Sequence, residues 1–129
     1  MNTKEIVEEY RRLLLVSESQ AEQFAAKHQN NEIFSSLVEF RRVFVCALTK
    51  AFEPRLKTIQ NICQESDPAI KQILNLSLQE DIRDELKREN VISKLQQTLG
   101  PGVCEEVLNE LERDDEILDF LNDGLDFLN

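Results

Sequence analysis

The densest chemistry-bearing stretch of this sequence is a run of carboxylates, Glu112, Asp114, Asp115, Glu116 and Asp119. Clustered oxygens of this kind bind Ca²⁺ or Mg²⁺ when they converge on one point. A loop of the EF-hand type needs ligands at alternating positions, a central glycine and a glutamate at its last position. Taking Gly124 as that glycine starts the loop at Asp119, but Leu121 then falls on a ligand position and the closing glutamate lies beyond Asn129. The motif fails. The run reads as a solvated acidic face, with divalent-cation binding kept as an alternative function.

Other constellations are thinner. The sequence has one histidine, His28, and Ala25 stands three residues before it, so the paired Glu-x-x-His ligands of a di-metal bundle site are missing. No C-x-x-C pair supports structural zinc. Gly100-Pro101-Gly102 is a turn, with neither the glycine spacing nor the lysine of a phosphate-binding loop. A Ser-His-Asp or Cys-His site would depend on His28, which reads instead as a packed or capping residue at a helix end. Cys46, Cys63 and Cys104 are an odd number for a disulfide framework. Cys46 and Cys63 lie in apolar-periodic segments and are expected as small buried hydrophobes in a reducing compartment. Arg11-Arg12 and Arg41-Arg42 are explained by ion pairs with nearby acids such as Glu8 and Glu39. No catalytic residue, no cofactor and no metal ligand is expected.

Charge is more telling. The 129 residues hold 25 Asp+Glu against 15 Lys+Arg, a net of −10. A nucleic-acid binder needs a basic face, so direct binding to nucleic acid is not expected. The imbalance is uneven: residues 1–66 are neutral overall, and the whole excess falls on residues 67–129. From Val103 to Asn129 only Arg113 opposes ten acids. Like charges this close repel one another and weaken the segment's folding unless a counter-charge meets them.

The elements that would position these groups are helices. Ile6, Tyr10, Leu13, Leu14, Phe24 and His28 recur at spacings of three and four between Thr3 and Gln29, with a drift around Ser17–Gln20 that predicts a kink or break. Ile33, Leu37, Phe40, Phe44, Leu48 and Phe52 mark a longer helix from Glu32, widened by Phe34, Val38 and Val45. Its stretch Val43–Leu48 is apolar nearly all round and is expected to be central, with a kink or stop at Pro54. Asp67-Pro68 is a helix start, and Ile70, Ile73, Leu74 and Leu78 are read as its buried stripe. Ser77-Leu78-Gln79-Glu80 has the form of a capping box and leaves open a second start near Leu78. Val91, Ile92, Leu95 and Leu99 give a short helix ending at Gly100-Pro101-Gly102.

The tail repeats itself. Leu118-Asp119-Phe120-Leu121-Asn122 returns as Leu125-Asp126-Phe127-Leu128-Asn129, about two helical turns later, so both copies would face the same way. The chain is expected to be all-α, a single domain of four to six helices in an irregular bundle. Residues 1–99 form its core, and residues 100–129 an acidic amphipathic segment, either part of that domain or a docking tail. The expected function is a non-catalytic protein–protein interaction module: an adaptor, regulator or complex subunit. Leu118, Phe120, Leu121, Leu125, Phe127 and Leu128 would lie in a basic or apolar groove of another protein, steered by Asp115, Glu116, Asp119 and Asp126. A homodimer closed over the second helix is a variant. An acidic nucleic-acid mimic that inhibits a nucleic-acid-binding protein is the other alternative. No stretch is long enough for a membrane span and the first residues lack a signal-peptide pattern, so a cytoplasmic chain is expected, with the nucleus also open.

Overall fold

Ser17 shows how this sequence divides its helices. Its backbone is extended, its Oγ accepts from the Gln20 amide, and its own amide donates to the Leu13 carbonyl, so one residue ends a helix and starts the next. The computed structural model describes residues 1–64, 67–112 and 114–123, all helix and short connections. Among them are seven helices: α1 (Thr3–Val16), α2 (Glu18–Lys27), α3 (Glu32–Gln64), α4 (Pro68–Arg88), α5 (Val91–Leu99), α6 (Pro101–Glu110) and α7 (Asp114–Asn122). The all-α expectation holds, with more helices than four to six. Ser17 splits the first segment, and the connection after Glu110 splits the last one.

Each start has a local cause. Asn2 caps α1, its side chain accepting from the Glu5 amide, and Asn31 accepts from the Phe34 amide at the head of α3. Asp67 accepts from Ala69 with Pro68 in the first turn of α4, as the sequence predicts. Asn90 caps α5 from a left-handed backbone, φ 54°, accepting from the Ser93 amide. Gly100, at φ 86°, ends α5 and precedes Pro101 at the start of α6. Two expected breaks are absent. The capping-box pattern at Ser77 starts no new helix, and α4 runs through it to Arg88. Pro54 does not stop α3, which continues to Gln64; the Pro ring removes one helical donor, and Glu53, Pro54 and Arg55 are all exposed.

Helix α3 is the hub, in contact with α1, α4, α5, α6 and α7. Its Phe34, Leu37, Val38, Phe40, Phe44 and Leu48 are buried in one cluster that also takes Ile6, Tyr10 and Leu14 of α1, Leu78, Ile82 and Leu86 of α4, and residues of α5, α6 and α7. The segment 100–129 is thus represented in the same core as residues 1–99 wherever it is described. Solvent reaches the stretch Val43–Leu48, since Val43, Cys46 and Ala47 are exposed. The burial expected for Cys46 is therefore corrected. Cys104 is buried, and its burial pushes the thiol above its usual range. The Cys63 side chain lies outside what is described.

Beyond Leu48 the pattern changes. Thr49–Gln64 of α3 and Pro68–Ser77 of α4 form an antiparallel arm in which Ile59 is the one buried residue among those described. At about 1.5 Å per residue, the α3 side of this arm is about 24 Å long.

Candidate functional site

The expected docking helix is α7, and its location is decided by its apolar side chains. Ile117, Leu118, Phe120 and Leu121 are all buried. The Phe120 ring lies 5.9 Å from the ring of Tyr10, which meets Phe34 edge-on at 5.4 Å. Acids fill the first turn of α7, where the helix dipole favours them. The Asp119 carboxylate accepts from Arg83 of α4.

The far end of α7 is held by arginines. Arg11 Nε donates to the Asp123 carboxylate at 2.6 Å, and Arg41 donates from Nη2 to the Asp123 carbonyl. Arg41 is 4% exposed, a buried cation at a helix C-terminus, where the dipole favours positive charge. Its Nε, the Tyr10 hydroxyl and the Asn122 side-chain nitrogen are buried without a hydrogen-bond partner among the described residues. Burial pushes the Asp123 carboxyl above its ordinary range, and the Arg11 hydrogen bond offsets this only in part. Burial likewise raises the Tyr10 phenol.

This placement puts three of the ten expected contact residues inside the fold. Leu118, Phe120 and Leu121 are core residues, because α7 packs on α3 and α4 of its own chain. Of the expected steering acids, Asp115 is exposed, Glu116 is half-buried, and Asp119 is half-buried in its pair with Arg83. Leu125, Asp126, Phe127 and Leu128 lie outside the described residues.

The remaining chemistry stays dispersed. Among the described residues, no group of three or more His, Cys, Asp or Glu is placed to hold a metal ion. Glu112 of the acidic run pairs with Lys4 at 3.0 Å. His28 ends α2, its ring 4.4 Å from that of Phe24. Three of the four paired arginines meet acids as expected, Arg42 with Glu39 and Glu22, Arg12 with Glu9 and Arg11 with Asp123, whereas Arg41 donates to a carbonyl. An open groove of 450 Å³ between α2 and α3 sets Glu18, Glu22 and Glu53 against Arg41, Arg42 and Lys50, so its charges compensate one another.

What the structure leaves uncovered is the arm. Ile62 on α3 and Ile70, Ile73 and Leu76 on α4 are exposed, Ile73 at 65%. Ile70 and Ile73 were expected inside; only Leu78, a turn further on, is buried. Ile70, Ile73 and Leu76 are spaced by three, so they follow one another along the helix surface as a ridge. A signal for this existed in the sequence. The apolar residues of α4 at 70, 73, 74, 76 and 78 extend around more of the helix than one neighbour could cover.

No helix of the described residues is long and apolar enough to cross a membrane. Compared with known proteins, the chain matches no family, no curated protein and no solved structure.

Proposed function

We propose that this chain is a non-catalytic protein-binding subunit whose contact surface is the apolar ridge of the α3–α4 arm. One observation carries the reading: aliphatic side chains at Ile62, Ile70, Ile73 and Leu76 stand in solvent on a projecting arm. Aliphatic side chains left in solvent along a helix ridge are costly unless a partner covers them. Dispersed titratable groups and self-compensated grooves support the non-catalytic part. A second reading rests on the exposed carboxylates Glu105, Glu106, Asp114 and Asp115 of α6 and α7, which would meet a basic surface such as that of a nucleic-acid-binding protein.

Affinity purification of three forms tests both readings: the wild type, Ile73→Glu/Leu76→Glu, and Glu105→Lys/Asp115→Lys. The arm variant should lose the specifically retained proteins, and the charge variant should keep them. The reverse pattern, with retention falling steeply as salt rises, would establish the acidic face instead. Equal retention by all three forms refutes the arm.

A further inference from the structure

We infer that the arm is a self-association surface, and that what covers Ile73 is the arm of a second copy of this chain, laid antiparallel about a two-fold axis. This rests on the arm being the contact surface, and it names the occupant.

Charge selects a second copy. Residues 49–77 carry Lys50, Arg55, Lys57 and Lys71 against Glu53, Glu65 and Asp67, a net of +1 in a chain of −10. The remaining residues therefore hold −11. Two identical chains approaching through the acidic faces of α6 and α7 bring like charges together, whereas the near-neutral arm avoids most of that repulsion.

The ridge is also self-complementary. A two-fold contact requires that if one residue meets another, the reverse holds in the second half. With the axis at Ile73, that residue meets its own copy, and Ile70 faces Leu76 of the second copy, because each lies three residues from the centre. Lys71, the one charge between Pro68 and Gln79, stands two residues from the axis and so on the opposite side of the helix from Ile73. No like charges are opposed along α4. Two such arms make a four-helix layer of antiparallel helices, an ordinary packing for amphipathic pairs.

Size sets the strength. Two helices side by side are about 20 Å across, and over a length of about 20 Å they present a face on the order of 400 Å². A standard interface takes about 800 Å² from each partner. The dimer should therefore be reversible, with dissociation in the micromolar range or weaker.

Sedimentation equilibrium of the full chain, from low micromolar to near-millimolar concentration, tests this. The wild type should pass from monomer to dimer as concentration rises. Ile73→Glu and Ile73→Lys should each keep the helical spectrum and melting temperature of the wild type and remain monomeric. Mixing the two variants should restore the dimer, because opposite charges then meet on the axis. A wild type that is monomeric throughout refutes the second copy, as does a dimer that survives both variants. If it is monomeric and yet the arm variant loses a different retained protein, the arm remains a contact surface and only its occupant is wrong. If neither assembly nor retention responds to the arm, both readings fall.

Discussion

Replacing Phe120 by alanine distinguishes a core helix from a docking helix. In the structure its side chain is fully buried beside the ring of Tyr10. Truncating such a ring removes its transfer free energy and leaves a cavity, about 3–5 kcal/mol in all. A domain of this size has a total stability of about 5–15 kcal/mol, so the variant should lose about a fifth of it or more. At about 4 °C per kcal/mol, the melting temperature should fall by more than about 10 °C. Urea denaturation followed by circular dichroism measures the difference directly, with an unchanged slope showing that the unfolded state is unaltered. Ile73→Ala on the arm is the internal control, expected within about 0.5 kcal/mol of the wild type because its side chain is already in water. A loss below about 1 kcal/mol for Phe120→Ala would refute the burial argument, since that is what an exposed aromatic waiting for a partner would show.

Asp123→Asn should leave the chain at least as stable at neutral pH. Burial holds the native Asp123 carboxyl above its unfolded value, so its ionisation opposes folding; that penalty is absent below the unfolded pKa and sets in as pH rises through the folded one. The variant's advantage should close in acid, and a clear loss at neutral pH in urea denaturation would show that the Arg11 pairing outweighs burial. Asn90→Ala should cost about 2 kcal/mol, by removing the α5 cap and placing a Cβ without local hydrogen bonding at φ 54°. Asn90→Gly should cost only a few tenths of that, because glycine accepts the positive φ and remains a tolerable cap; equal losses for the two would refute this account.

The long helices were legible because their local causes are short-range. Asp67-Pro68 starts α4 through one hydrogen bond two residues away, and the six residues of the α3 stripe follow from helical geometry alone. Ser17 was legible as an irregularity, since the apolar period drifts there. Pro54 misled because the penalty for proline depends on whether the orphaned carbonyl meets water, and that is a property of the arm's exposure. Arg41 gave no signal as a buried residue. It sits in a basic pair that local sequence explains by surface acids, whereas its partner is the carbonyl of Asp123, 82 residues away.

The same limit explains why Ile70 and Ile73 were expected inside while the seam of α7 was left open to a partner. An apolar stripe states that a helix has a side unsuited to water; it does not state what meets that side. The stripe on α4 starts within a few residues of the end of α3, so its first ten residues run beside a stretch where only Ile59 is buried among those described. The seam on α7 returns to the level of Arg41, where α1 and α3 already present Tyr10, Phe34 and Phe40. Charge then favours the same division. Asp119 of α7 pairs with Arg83, Asp123 just after it pairs with Arg11, and Arg41 meets the Asp123 carbonyl, so the end of α7 is tied to three other helices. The arm has no such excess to neutralise, and its aliphatic ridge is left free for contact.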